Sequence, residues 1–180
     1  ATFEATGGKT TVITGDSIAQ TDGTKTNTST AAGNTVADGT KSTETTAAGQ
    51  VIKDGAKTNT STVDENTLVD GAKSNKTTVD SNVIDDGNGN VNTSNATSNT
   101  IANGADSTAT TAAGTTVTNA NGNTNYAADG VRINTTGKNP VSLTDAGLDN
   151  GNNVIKNVAS GHVNNDDTDN TNAANIADVK

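Results

Sequence analysis

Single aliphatic residues recur along the chain every sixteen positions. The series runs Val36, Ile52, Leu68 and Ile84, and resumes after one inserted residue near Gly89 as Ile101, Val117 and Ile133. Asp-Gly pairs keep the same interval, at Asp22-Gly23, Asp38-Gly39, Asp54-Gly55, Asp70-Gly71 and Asp86-Gly87, and so do Lys9, Lys25, Lys41, Lys57 and Lys73. Five residues ahead of the aliphatic lies a column of small or branched residues: Ala31, Ala47, Val63, Val79, Ala96, Ala112 and Ala128. Gly33, Gly49, Gly114 and Gly130 recur between the two columns, and the first repeat is atypical, with Gln20 in the aliphatic place and Ile18 nearby. The consensus is K-[TS]-x-x-x-T-[AV]-x-G-x-x-[VIL]-x-D-G-x, in about eight copies.

Repeats at a fixed interval signal a repetitive architecture. Thr and Val favour extended backbone because branching at Cβ restricts χ1. Asp-Gly and Asn-Gly favour tight turns that need φ > 0. Gly and Asn recur too often for helix, and no apolar residue returns at a 3.6 interval. Each repeat therefore holds two short strands and two turns. The expected fold is all-β: a parallel β-roll in which each repeat is one coil, stacked on the coils above and below, or a β-prism of which each repeat is one unit. One coil offers only one or two apolar side chains against the entropy of ordering sixteen residues. Packing several chains around a common apolar axis is the remedy, so an obligate oligomer is expected.

Composition sharpens this. Val, Ile, Leu and Phe number 15, 8, 3 and 1 in 180 residues, with one Tyr and no Trp, Met or Cys, and the net charge is −9. By composition alone such a chain is disordered; the repeat argues otherwise. The missing cysteine excludes a disulfide scaffold and thiolate metal sites. The acidic balance argues against nucleic acid, which selects clustered Lys and Arg. No apolar run approaches a membrane span, so any anchor or export signal is expected outside these 180 residues.

Beyond Lys138 the interval dissolves at Pro140, the single proline. Aliphatics draw closer together: Val141, Leu143, Leu148, Val154, Ile155, Val158 and Val163. After an acidic, Asn-rich stretch, Ala173, Ala174, Ile176, Ala177 and Val179 suit the first turns of a helix capped by Asp169, Asn170 or Thr171.

Here the residues carry a resemblance. GLDNGNNVIKNVASG, a polar spacer and NAANIADVK resemble the neck motif of trimeric autotransporter adhesins, G-L-x-N-x-x-x-x-I-x-N-V-x-x-G followed by D-A-V-N-x-x-Q-L or N-A-A-x-x-x-D-L. Gly147, Leu148, Asn150, Ile155, Asn157, Val158 and Gly161 fall on the first half; Ala173, Ala174, Asn175, Asp178 and Val179 fall on the second. The S-V-A-I-G repeat of the best-known heads of that family is absent. The resemblance implies a homotrimer whose chains swap places at a neck leading into a coiled coil. It also implies a bacterial cell-surface protein, anchored at the outer membrane and adhering to host extracellular-matrix proteins, to other surfaces or to itself.

Sharper chemistry finds little footing. His162, the one histidine, lacks partners for catalysis, so no enzyme activity is expected and no cofactor. Asp166, Asp167 and Asp169 lack the spacing of a calcium loop and read as a solvated segment. The sequons at Asn27, Asn59, Asn75, Asn92, Asn95 and Asn134 are what an Asn- and Thr-rich chain produces by chance. Thr26, Thr28 and Thr30, with their copies Thr58, Thr60 and Thr62, put hydroxyls on one strand face, as in ice-binding β-solenoids, but Glu44 and Lys76 interrupt the array.

The expected organisation is a repetitive β head over 1–137, with repeats from residue 9, and a neck over 138–180. Val36, Ile52, Leu68, Ile84, Ile101, Val117 and Ile133 line the repeat core. Leu148, Ile155, Val158, Ile176 and Val179 make the trimer contacts of the neck. The expected function is adhesion; the alternatives are a passive spacer or stalk of a surface or phage fibre and, from another class, an ice-binding solenoid.

Overall fold

The computed structural model describes residues 1–160, and these carry nineteen β-strands and no helix. Two compact units divide between Ala120 and Asn121. In the first, fifteen strands follow one another as a meander. β1 (Thr2–Ala5), β2 (Lys9–Ile13) and β3 (Ser17–Asp22) open it; from β4 (Lys25–Thr30) and β5 (Gly33–Asp38) onward nearly every strand has six residues. The series continues as β6 (Lys41–Thr46), β7 (Gly49–Asp54), β8 (Lys57–Thr62), β9 (Glu65–Asp70), β10 (Lys73–Thr78), β11 (Ser81–Asp85), β12 (Asn90–Asn95), β13 (Ser98–Asn103), β14 (Asp106–Thr111) and β15 (Gly114–Asn119). The second unit holds β16 (Gly122–Ala127), β17 (Gly130–Thr135), β18 (Val141–Thr144) and β19 (Gly147–Asp149). β18 and β19 extend its ladder beyond Lys138, where the sixteen-residue interval ends.

The all-β expectation and the two strands per repeat are what the chain adopts; the parallel stacking of coils is not. Within each unit every strand pairs antiparallel with its neighbours in sequence, as in Lys25↔Asp38 and Ser29↔Asn34 for β4–β5, and Gly33↔Thr46 and Asp38↔Lys41 for β5–β6. The reason is turn length. Only two residues separate most strands, which suffices for a hairpin, whereas a parallel pair needs a crossover of a dozen residues or more. The sixteen-residue unit is therefore one hairpin.

The two ends of each hairpin are built differently. At one, Asp, or Asn103 in the case of Gly104, is followed by a glycine with positive φ: Gly23, Gly39, Gly55, Gly71 and Gly104 lie at 62°, 60°, 59°, 61° and 59°. The next residue is an ordinary Thr or Ala, as expected of a type II′ turn, whose twist matches that of the strands. At the other end the turn residues, such as Ala31-Ala32, have no positive φ, and a threonine side chain holds the turn closed. Thr30 Oγ1 accepts from the backbone N–H of Ala32 and of Gly33, both at 3.2 Å, and donates to the Gly33 carbonyl at 3.2 Å. Thr62 and Thr78 repeat the pattern, and Asn95 Oδ1 replaces it, accepting from Thr97 and Ser98 at 2.9 Å each. The inserted residue is absorbed in the loop Asp86–Gly89, where Asp86 Oδ1 accepts from the N–H of Asn88 at 2.8 Å and of Asn90 at 3.1 Å.

No side chain among the described residues is fully buried. Each strand touches only its sequence neighbours, so within each unit the sheet is one layer thick. Glycine recurs after the threonine-capped turn because the adjoining strand comes close: a Cβ at Gly49 would lie 2.3 Å from the Ser61 carbonyl oxygen and 3.0 Å from Thr62 Cγ2, at φ 150°. Replacing Gly49 with Ala is expected to cost about 1–3 kcal/mol through backbone strain. Thr62→Val should cost about 1 kcal/mol by losing the turn hydrogen bonds, and Thr62→Ser almost none. Thermal unfolding followed by circular dichroism measures all three.

Candidate interaction surface

Side chains alternate across a strand, and directly paired residues of antiparallel neighbours share a face. Following the pairings from Val36 places every strand-borne Phe, Ile and Leu of the first unit on one face. Val36 stands between Asn27 and Thr43, Ile52 between Thr43 and Asn59, Leu68 between Asn59 and Asn75, and Ile84 between Asn75 and Asn92. Ile101 follows between Asn92 and Thr108, and Val117 opposite Thr108. Phe3, Ile13 and Ile18 belong to the same face. From β4 to β15 the result is a central row in which one aliphatic and one Asn or Thr alternate, about 4.8 Å apart; on β2 and β3 the row holds Thr11 and Gln20.

Two further rows flank it. On the Asp-Gly side, lysines and aspartates alternate, Lys25 facing both Asp22 and Asp38, and Lys41 facing both Asp38 and Asp54. Lys9–Asp22, Lys41–Asp54 and Lys57–Asp70 form ion pairs at 3.1, 3.5 and 3.0 Å. Exposed pairs of this kind add little stability, but they leave this row close to neutral. Beyond Gly89 the row becomes polar, with Asn90, Asn103 and Asp106. On the capped side Ser, Thr and Asn side chains link up: Asn34 donates to Ser29 at 2.7 Å and to Asn27 at 2.9 Å, and Asn82 to Thr77 at 2.7 Å and to Asn75 at 3.1 Å. A groove runs between the charged and central rows, about 730 Å³ over β2–β7 and about 450 Å³ over β7–β10.

The opposite face is dense with small and branched residues. Thr26 pairs with Thr21, Thr28 with Ala19 and Thr35, and Thr60 with Val51 and Thr67. Glu44 stands opposite Thr35 and Val51, and Lys76 opposite Thr67 and Val83, so charges break the threonine array in the middle of the face. Lys76 forms an ion pair with Glu65.

The six repeat-core residues of the first unit are thus brought into one row, but the chain by itself does not cover them: they retain from 43% (Val117) to 56% (Ile101) of their surface. Ile133 lies in the second unit, on one face with Tyr126, Val131, Val141, Leu143 and Leu148. Leu148 opposes Leu143 and is 61% exposed; Ile155 is 60% exposed and lies past the last strand, as does the half-buried Val158. Ile176 and Val179, the expected terminal helix, His162 and the acidic cluster Asp166, Asp167 and Asp169 lie outside the described residues. Val63 and Val79, in the column ahead of the aliphatics, are turn residues at 92% and 95% exposure. The threonine caps and the Asn partners of the central row had no assigned role in the sequence reading, although the recurring Thr of the consensus marked the caps.

Comparison with protein-family models, with curated proteins and with solved structures gives no match.

Three carboxyls are held below their ordinary values. A hydrogen bond from Lys76, then one from Thr67, lowers Glu65 from 4.5; the Asn90 side chain and the Asn88 N–H lower Asp86 from 3.8; the two-pronged contact with Arg132, at 3.0 and 3.2 Å, lowers Asp129 from 3.8. A lowered folded value means that the contribution is complete above the ordinary carboxylate range and lost as pH falls through the folded values beneath it. The thermal midpoint is therefore expected to stay level between about pH 7 and 5 and to fall below about pH 4. A Glu65→Gln, Asp86→Asn, Asp129→Asn variant should fall less steeply over the same range.

Proposed function

We propose that this chain is a segment of a trimeric bacterial surface adhesin, which attaches cells to host or abiotic surfaces or to one another and catalyses nothing. The observation that carries the reading is a long, repetitive single-layer sheet whose strand-borne isoleucine and leucine side chains lie uncovered on one face of each unit. A sheet of this kind needs a partner of matching repeat, and three copies closing around an axis provide one. The neck-like residues from Gly147 to Val158 support the same assembly, since Leu148 and Ile155 are exposed. In this reading the threonine-rich face is turned outward, and many weak contacts on three identical faces sum through avidity. A second reading, a spacer that projects another domain, draws on the uniformity of the repeat from β4 to β15.

Light scattering on the purified chain should give the mass of three chains, with a β-type far-UV spectrum on the same sample. Ile155→Asp or Val158→Asp should abolish the trimer; a variant that stays trimeric and equally heat-stable removes the neck assignment. Coated on beads, the trimer should promote attachment to matrix proteins or plastic, or bead clustering. Inert beads that remain trimer-coated support the spacer instead.

A further inference from the structure

We infer that the aliphatic face of β2–β15 is the surface on which copies of this chain bind one another, aligned so that each residue of the central row meets its own counterpart. This rests on the trimer proposed above and adds the face, the register and the role of the asparagines.

The occupant follows from the pattern of the row. From β4 to β15 an aliphatic side chain alternates strand by strand with Asn or, at Thr43 and Thr108, with Thr, so a partner must offer an aliphatic every second strand and a group that both donates and accepts in between. Another copy carries that ladder. In a cyclic assembly whose axis runs along the row, identical residues lie at one level. Ile52 then meets Ile52, and Asn59 meets Asn59, whose amide is both donor and acceptor. A slip by one strand would set Asn against Ile or Leu, so the amides hold the register, as a buried Asn does in a coiled coil.

The Oδ1 atoms of Asn27 and Asn75 accept from Asn34 and Asn82 of the same chain, which fixes these amides in the row. Charge agrees: the chain carries −9, but on this face β2–β10 bear five lysines against four aspartates, so copies approach here without strong repulsion.

The chain has no cysteine, so single thiols report cleanly. Asn59→Cys places one on the aliphatic face, and Thr60→Cys, one residue on, places one on the opposite face. Each variant is oxidised, run on a non-reducing gel and, in parallel, labelled under native conditions with a maleimide. Asn59→Cys should give disulfide-linked chain pairs and label at least ten-fold more slowly, while Thr60→Cys stays uncrosslinked and labels at the rate of a free thiol. Crosslinking through position 60, or equal labelling of both in a particle of three chains, overturns the assigned face and leaves the trimer standing. A single-chain mass with a β spectrum for both removes the trimer and this inference with it. If Asn59→Cys loses its β spectrum, Asn75→Cys and Lys76→Cys make the same comparison, with the same outcomes deciding.

Discussion

A six-residue strand closed at each end by two residues can hydrogen-bond its backbone in only one way, to the strands just before and after it in sequence. Everything else in this protein depends on that restriction. The ladder satisfies the main chain without any tertiary partner, so the sheet forms with hardly any apolar material. The same restriction keeps the sheet one layer thick within each unit, because a chain that turns back every eight residues has no length of connection with which to lay a second layer over the first.

The two kinds of turn divide this work. Glycine at 59–62° supplies the twist-matching hairpin at the Asp-Gly ends, where most other residues would be strained. Threonine at the other end lends a hydroxyl that accepts from the turn N–H groups and donates to a carbonyl, so that residues as unremarkable as Ala31 and Ala32 can make the reversal. Chemical differences between the two margins carry through to the aliphatic face. One margin is a ladder of Lys and Asp, the other a ladder of Ser, Thr and Asn, and the central row is held between a charged strip and a hydrogen-bonded one.

A face so arranged cannot be explained by the stability of one chain. Leucine and isoleucine side chains left about half exposed contribute only part of their hydrophobic free energy, and the asparagines between them hinder the packing of an ordinary core. In the assembly proposed for this chain, identical copies would cover the face, the aliphatics would bury one another and the amides would choose the alignment. Threonine, alanine and valine on the opposite face, broken by Glu44 and Lys76, suit a surface that stays in water.

Much of this was legible in the residues themselves. The sixteen-residue interval, the alternation of branched and polar residues and the Asp-Gly pairs determined that the chain is all-β and where its turns fall, because each depends only on local backbone preference and on the two-residue period of a strand. The direction of pairing did not follow. A sixteen-residue unit of two strands and two turns describes a coil and a hairpin equally well, and the parallel roll was the wrong choice between them. The outcome depended on turns of two residues, with glycine at positive φ in one and threonine clamping the other, which reverse the chain rather than advance it. Nor could the sequence alone disclose that Asn27, Asn59, Asn75 and Asn92 stand between the aliphatics, since residues seven to nine positions apart become neighbours only once the strands are paired. The sequence by itself determined strand, turn and face; the tertiary structure decided which strands are neighbours, because that choice is made by the geometry of the reversals rather than by the character of the residues between them.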